Sequence, residues 1–486
     1  MRKSTPTDSF GRPARTPRRS GSPARPIAAV LVAVLAFGGL AACATTGTSS
    51  LSDAQTAALV GSDFYDTSLV HSITVDFDEN DYQAILDAYT ATGDKDWISA
   101  TVTIDGTVFE QVGLRLKGNS SLRGVVGDTA ASGETDENVP ADSGDGSANS
   151  DDPETLPWLI RLDKYVDDQS YEDRTEFVVR GNTTESSLNE AVALELIGLT
   201  GLVTEKSAAV RLSVNGGDEA LRLVVESIDD ELWNDDTFAA DGITYKADST
   251  GDYSYRGDDP ADYEDIFNQK TGDDDLTPLI SFLDFINNTD DATFSAELGN
   301  YLDVDAFATY LAAEDLTANA DDIDGRGNNS YLRYDSTTGL MTVVAWDANL
   351  SFGATNVDAG GAGRGPGGGG GAAGGQRPTP PEGATGGAVP DAAAPGQAAD
   401  AQAGGGMGPM GGTNILSTRF LADSTFSALT ETTTATLTEN LYDSGDAQAV
   451  LDRWTVLLEE QASDLISGDT LQSESDAIAA FLTGDN

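Results

Sequence analysis

Apolar and polar residues alternate along much of the first half of the chain, a period of two that predicts β-strands. Two pairs of these strands are separated by short glycine-containing turns at 105–106 and 215–217, which predicts two β-hairpins. Strands are predicted at Val70–Phe77, Ile98–Ile104, Val108–Leu116, Trp158–Leu162, Glu176–Arg180, Ala208–Val214 and Leu221–Glu226.

In the second half, apolar residues recur mainly every three or four positions, which is the spacing of helices. A third predicted hairpin, Ser330–Tyr334 with Leu340–Trp346, interrupts this half. A β-rich half followed by a helical half indicates the α+β class. Helices are predicted at Asn80–Tyr89, Ser187–Ile197 (amphipathic), Leu276–Ile286, Val304–Leu316, Ser424–Tyr442, Ala447–Leu465 and Ser473–Leu482.

Two segments, 125–157 and 359–412, show neither period. The first is rich in Gly, Ser, Asp, Glu and Pro, and the second contains five consecutive glycines from Gly367 to Gly371. Such sequences cannot bury enough apolar surface to offset the conformational entropy lost on folding. We therefore predict two disordered insertions in one folded domain, because periodic sequence resumes after each of them.

Residues 1–43 have the three-part layout of a bacterial lipoprotein signal peptide. A basic region precedes an apolar run, Pro26 to Leu40, which is too short to span a bilayer comfortably. The run ends in Leu40-Ala41-Ala42-Cys43, small residues before a cysteine, which is the pattern of a lipidated thiol. We expect Cys43 to anchor the protein to the extracytoplasmic face of the cell membrane, with 44–64 as a tether. An ordinary signal peptide that contains a cysteine is the alternative.

Charge and composition narrow the possible chemistry. Only seven of the 27 basic residues and one of the 81 acidic residues lie in 1–43, so the remainder carries a formal charge of −60. A surface of this charge repels nucleic acid, and we expect no nucleic-acid partner. Cys43 is the single cysteine and His71 the single histidine. Lipidation of Cys43 would leave no thiol for disulfide or redox chemistry, and histidine-based hydrolysis has no support.

Residues 318–353 hold the densest candidate chemistry. Carboxylates at Asp321, Asp322 and Asp324 and amides at Asn328 and Asn329 precede the third hairpin, and Asp347 follows it. Because a hairpin brings its two ends together, we expect Asn329 and Asp347 to lie near each other. Oxygen ligands of this kind suit Mg²⁺ or Mn²⁺ with bound phosphate. An EF-hand is excluded by the spacing, whereas a solvated acidic turn stays open as an alternative.

Five sequence elements follow one another in a recognisable order. They are Arg115-Leu116-Lys117-Gly118-Asn119-Ser120-Ser121, Leu221–Glu226, Asn319-Ala320-Asp321, Asn328–Leu332 and Trp346–Gly353. The elements and their order resemble those of the CotH family of atypical protein kinases, over roughly residues 65–465. The resemblance implies a two-lobe, protein-kinase-like fold and phosphorylation of Ser on protein substrates.

The resemblance also implies roles for individual residues. Asp321 matches the catalytic base, and Asn329 (or Asn328) and Asp347 match the ligands of Mg²⁺. Asn349 stands where the family has a second metal-binding Asp, and its amide oxygen can still bind Mg²⁺.

The same resemblance implies nucleotide-binding roles for three residues. Lys117 matches the cation that contacts the phosphates of ATP. Arg161 stands where many members have a Lys, and it can still pair with phosphate. Glu226 matches an acid near the hinge between the lobes.

We therefore expect an exported, metal-dependent kinase that transfers the γ-phosphoryl group of ATP to Ser or Thr of a surface or envelope protein. The kinase domain would span 65–465, with a final helix and tail at 466–486. A non-catalytic protein of envelope assembly or adhesion that reuses the fold is the alternative. A Ca²⁺-stabilised acidic scaffold is a third possibility.

Overall fold

The structure is a computed structural model, and it describes a defined part of the chain. Cys43, Asp324, the tether up to residue 62 and the predicted insertion 359–412 lie outside the described residues. Within the described part, no helix is long and apolar enough to cross a membrane. The described residues are 63–118, 120–122, 125, 148–248, 251–323, 327–354 and 414–483.

In the described part of the chain, seven strands close into a barrel in the order β1-β2-β3-β4-β5-β7-β6. The barrel closes through β1 and β6, which pair in parallel with His71 opposite Val210. Every other pair of neighbouring strands in the barrel is antiparallel. Closure leaves the barrel itself without a free edge strand. The strands are β1 (His71–Phe77), β2 (Ile98–Ile104), β3 (Thr107–Leu116), β4 (Trp158–Arg161), β5 (Glu176–Val179), β6 (Ser207–Val214) and β7 (Ala220–Glu226).

A second, four-stranded antiparallel sheet has the order β11-β10-β8-β9. The predicted third hairpin forms its β10 and β11, whereas β8 and β9 were not predicted. β9 has a single large apolar residue, Phe267, so it shows no alternation that could reveal a strand. The strands are β8 (Gly242–Ala247), β9 (Phe267–Thr271), β10 (Tyr331–Asp335) and β11 (Met341–Val344).

Many of the described helices start after an aspartate whose side chain accepts a hydrogen bond from the first turn, as Asp303 does from Ala306 N–H. Part of the acidic composition therefore stabilises helix starts. A π-helical turn, Thr438–Asp443, continues the eighth helix. The helices are α1 (Glu79–Thr92), α2 (Leu188–Leu199), α3 (Glu231–Thr237), α4 (Thr277–Asn288), α5 (Asp291–Glu297), α6 (Val304–Thr317), α7 (Ile415–Ala422), α8 (Ser424–Leu437), α9 (Asp446–Gln461) and α10 (Gly468–Thr483).

The helix predicted at Ser187–Ile197 is correct in position but is not amphipathic. Nearly every residue of α2 is buried, Asn189 and Glu190 included. The reason is that α2 contacts β6 of the barrel as well as α6 and α9. The polar residues that suggested a solvent-facing side are hydrogen-bonding groups inside the protein.

The last ten residues of the first predicted insertion are ordered. Residues 148–157, placed in a disordered segment on composition, instead form a turn and a short 3₁₀ helix, Pro153–Thr155. Leu156 is fully buried with the barrel core, and the indole N–H of Trp158 donates to the carbonyl of Pro153. Two apolar anchors thus fix a segment whose average composition is polar. Residues 126–147 lie outside the described residues.

The mixed α+β class, with a β-rich first half and a helical second half, is confirmed. The closure of the first seven strands into a barrel was not predicted, because alternation identifies strands but not which of them are neighbours. The kinase-like arrangement in two lobes stays a prediction.

Two valines on β3 test the barrel core. Val112 is fully buried inside the barrel, whereas Val108 is 59% exposed on the same strand. Val112→Ala should lower the free energy of unfolding by about 2 kcal/mol, because it removes buried methyl groups and leaves a cavity. The matched change Val108→Ala should stay within about 0.5 kcal/mol. Urea denaturation followed by circular dichroism measures both, and equal losses would contradict the assigned barrel interior.

Candidate active site

The β10–β11 hairpin brings Asn329 and Asp347 together, as predicted. The amide nitrogen of Asn329 lies 3.4 Å from Oδ2 of Asp347. The indole N–H of Trp346 donates to the carbonyl of Asn329 at 3.2 Å and fixes the two ends of the hairpin. Asp347 adopts a left-handed backbone conformation, φ 56°, which is uncommon outside glycine and occurs often at functional sites.

Asp321 joins this pair through the same amide. Its carbonyl oxygen accepts a hydrogen bond of 3.0 Å from the amide nitrogen of Asn329. Burial raises the pKa of the Asp321 carboxyl. A carboxylate with a raised pKa is a better proton acceptor, which is the property required of a general base. The three residues from separate motifs therefore share one location.

Arg180 was missed by the sequence analysis, and it lies at the centre of the charged groups. It follows β5 directly, and its guanidinium forms an ion pair with Asp347. The same guanidinium pairs with Glu190 of α2, with Nε–Oε2 and Nη2–Oε1 distances of 3.1 and 2.8 Å. Burial raises the pKa of Glu190, and Arg180 opposes that rise. The sequence feature that could have identified Arg180 is its position, since it is an arginine at the end of a predicted strand in a strongly acidic chain.

Glu205 is a buried acid that contacts the backbone of Asp347. Its Oε2 accepts a hydrogen bond from the backbone N–H of Asp347 at 3.3 Å. Burial raises the pKa of Glu205 to about 8, against the opposing charge of Arg180. At neutral pH Glu205 is therefore mostly protonated, and it adds little negative charge to the site.

Asp229, just after β7, is surrounded by positive charge. Burial by itself would raise its pKa, but the charges of Lys117, Lys270 and Lys246 lower that pKa to about 2. The ammonium of Lys270 lies 3.5 Å from Oδ2 of Asp229, and the hydroxyl of Tyr331 donates to Oδ1 at 2.8 Å. Lys117, predicted to contact phosphate, thus belongs to a larger group of cations.

Arg161 lies on β4, on the side of the barrel where Glu176 begins β5. Its Nη1 is 3.3 Å from Oε1 of Glu176, and its Nε donates to Asp163 at 2.8 Å. Burial raises the pKa of Glu176, and the charge of Lys117 opposes that rise. Arg161 and Lys117 therefore both lie within electrostatic range of Glu176. The side chain of Arg161 is still 38% exposed.

Glu226, predicted to bind the nucleotide, is fully engaged by the protein itself. One carboxylate oxygen accepts from Arg174, at 3.0 Å from Nε and 2.9 Å from Nη2. The other oxygen accepts from the indole N–H of Trp233 and the backbone N–H of Lys206, both at 2.9 Å. Glu226 lies at the end of β7, where the chain leaves the barrel. Its contacts stabilise that exit and leave neither oxygen for a ligand.

The remaining predicted ligands lie at the same end of the hairpin. Asn328 is half-buried beside Asn329. Asn349 is held through its backbone, since its carbonyl accepts from the side chain of Asn189 on α2. In the described residues, no group of three or more His, Cys, Asp or Glu side chains is arranged to hold a metal. Mg²⁺ requires only one or two carboxylates when phosphates supply other ligands, so Asp347 with amide oxygens fits that ion.

The mixed α+β fold thus carries a site of acidic, amide and basic groups, which are the kinds of group that proteins of phosphoryl transfer use. Comparison with known proteins identifies the family. The family described as CotH kinase protein matches residues 142–468, about two thirds of the chain. The chain belongs to the CotH kinase protein family. The match begins after β3, so Lys117 lies outside it.

One similar curated protein is the inner spore coat protein H of Bacillus subtilis (strain 168). It is 27% identical over 173 residues, which are 35% of this chain and 47% of that protein. The chain therefore spans about half the length of the curated relative that it matches.

The contacts of Arg174 yield a prediction about Glu226. Arg174 pairs with Glu226, whose side chain is 1% exposed, and with Asp236, whose side chain is 69% exposed. Glu226→Gln should lower the free energy of unfolding by about 3 kcal/mol, because a buried guanidinium loses its charged partner. Asp236→Asn should cost less than about 1 kcal/mol, as for a solvent-screened pair.

Chemical denaturation of the two variants measures this difference. Equal stability of Glu226→Gln and the wild type would show that Glu226 is not a structural anchor and would restore it as a candidate ligand.

Proposed function

We propose that this protein is a metal-dependent kinase that transfers the γ-phosphoryl group of ATP to a Ser or Thr hydroxyl of an envelope or surface protein. The observation that carries the proposal is the amide of Asn329, which contacts both the Asp321 carbonyl and the Asp347 carboxylate. A base-type Asp, an Asn and a second Asp in one place are the groups that kinases use. The barrel and the helical half would act as the two lobes.

In this proposal Asp321 accepts the proton of the substrate hydroxyl as the oxygen attacks the phosphorus atom. Its half-buried position raises the pKa of its carboxyl, which favours proton uptake. The bond between the γ-phosphorus and the bridging oxygen breaks, ADP leaves with that oxygen, and Asp321 then releases the proton to solvent. No covalent intermediate on the enzyme is required, because the transfer is direct.

Asp347 and Asn329 would hold Mg²⁺, with Asn328 and Asn349 as further oxygen ligands. When bound there, Mg²⁺ would supply neutralisation of the negative charge on the phosphates. Arg180, Lys117 and Arg161 would stabilise the charge that develops on the transferred group. When phosphate binds, Arg180 would release Asp347 and contact the phosphate instead, while its ion pair with Glu190 stays in place. Glu190 therefore has the role of a positioning residue.

We also propose that this activity operates outside the cytoplasm. The support is the signal-peptide pattern of residues 1–43 and the lipid-attachment pattern at Cys43. A lipid on Cys43 would hold the kinase domain at the membrane surface, next to envelope substrates.

A second function is favoured by one departure from the family pattern. Asn349 replaces a metal-binding Asp, which removes one negative charge from the proposed metal site. A protein that kept the fold without phosphoryl transfer would assemble with or adhere to other envelope components.

Phosphoryl transfer separates the two functions. With γ-labelled ATP and Mg²⁺, the purified full-length chain should incorporate label on Ser or Thr, in itself or in an added protein. Asp321→Asn and Asp347→Asn should each lower the rate at least ~100-fold, because they remove the proton acceptor and a metal ligand. Asp452→Asn, on the exposed face of α9, is the matched control and should keep the wild-type rate.

Chelation of the metal with EDTA should abolish the incorporation by the wild type. Equal incorporation by wild type and Asp347→Asn, or incorporation that persists in EDTA, would exclude the proposed mechanism and favour the non-catalytic function.

A further inference from the structure

The second sheet adds two lysines to the site that none of the recognised motifs contains. Lys246 lies on β8 and Lys270 on β9; both residues are half-buried, and the side chain of Lys270 is 27% exposed. Asp229, to which both are electrostatically coupled, comes from the end of the barrel. Lys246, Lys270 and Asp229 form a charged group that joins the second sheet to the barrel beside Lys117.

The backbone at Lys270 is irregular in a way that affects its direction. Thr244 pairs with Thr271 and Tyr245 with Gln269, so Lys270 is an extra residue in β9 and forms a β-bulge. Bulges commonly redirect a side chain near an active site. Here the bulge directs the ammonium of Lys270 to Asp229, at 3.5 Å.

The charges in this group do not balance. Lys117, Lys246 and Lys270 all act on Asp229, although burial lowers the pKa of Lys246 to about 7, so that amine is only partly protonated at neutral pH. Glu205 and Glu176 also lie within electrostatic range of these lysines, and burial raises the pKa of both carboxyls. The chain has seven lysines in total and a formal charge of −54, so positive charge is scarce. A structural ion pair would need one of these lysines. An excess of cations in a half-buried place is the arrangement of an anion-binding site.

The group also adjoins the predicted metal ligands. The ammonium of Lys246 lies over the rings of Trp346, at 3.9 Å from the centroid, and Tyr331, at 4.9 Å. Trp346 immediately precedes Asp347 and donates to the carbonyl of Asn329. A phosphate group bound near Asp347 would therefore also lie close to Lys246.

We propose that Lys246, held over Trp346 and Tyr331, and Lys270, held by Asp229, bind the phosphate groups of the nucleotide alongside Lys117. The inference rests on the proposed function for the identity of the anion. The two lysines supply charge and hydrogen-bond donors to the polyphosphate, and Asp229 is a positioning residue. The second sheet thereby becomes part of the nucleotide site, which the motifs place only on the barrel and the β10–β11 hairpin.

Isothermal titration calorimetry of the full-length chain tests this subsite. The probes are inorganic tripolyphosphate and ATP, each with Mg²⁺. Lys246→Met and Lys270→Met should each weaken the binding of both probes at least ~10-fold, because each removes one charged contact with phosphate. Lys164→Met is the matched control, since Lys164 is exposed and lies over Trp97 on the surface, and it should bind as the wild type does.

Unchanged binding of both probes by Lys246→Met and Lys270→Met would overturn the inference, whatever the kinase assay shows. The same holds if the wild type binds neither probe. Binding of tripolyphosphate through these lysines by a chain that transfers no phosphate would support the inference and refute the proposed function. Thermal melting of each variant checks the fold, and Lys270→Met provides the test if loss of the Lys246 ring contacts prevents folding.

Discussion

The ion pairs of Arg180 connect the three parts of the molecule that form the site. Arg180 ends a barrel strand, Glu190 belongs to α2 and Asp347 follows the β10–β11 hairpin. Charges this far from bulk water are costly unless they are paired, so the three elements must meet with these groups in register. α2, which carries Glu190, is buried on nearly all sides because it lies between the barrel and the helical half. The position of Asp347 therefore depends on the packing of the whole protein.

The distribution of charge separates structural acids from those of the site. Aspartates at helix starts, such as Asp303 of α6, accept hydrogen bonds from backbone N–H groups and contribute locally. Glu226 is different, because Arg174, Trp233 and Lys206 use both of its oxygens at the exit from the barrel. Around Asp229 cations gather instead, since Lys117, Lys246 and Lys270 all act on this carboxylate. A strongly acidic chain thus concentrates part of its few bases at the proposed site.

The match to the CotH kinase protein family covers the central residues of the site but not all of them. The matched region, 142–468, contains Asp321, Asn329 and Asp347, but it excludes the element around Lys117. The structure nevertheless brings Lys117 within electrostatic range of Asp229 and Glu176. The first three strands thus contribute to the same site as the matched region.

The sequence by itself determined the local elements. The barrel strands, the three hairpins and the longer helices follow from alternation, helical spacing and turn residues, which act between near neighbours in the chain. The proximity of Asn329 and Asp347 was also predictable, because a hairpin fixes it. Tertiary structure alone decided the barrel closure through β1 and β6, the burial of α2, and the meeting of Arg180, Lys246 and Lys270 with distant acids. These contacts join residues many positions apart, and they form only when apolar faces pack, which no local pattern encodes.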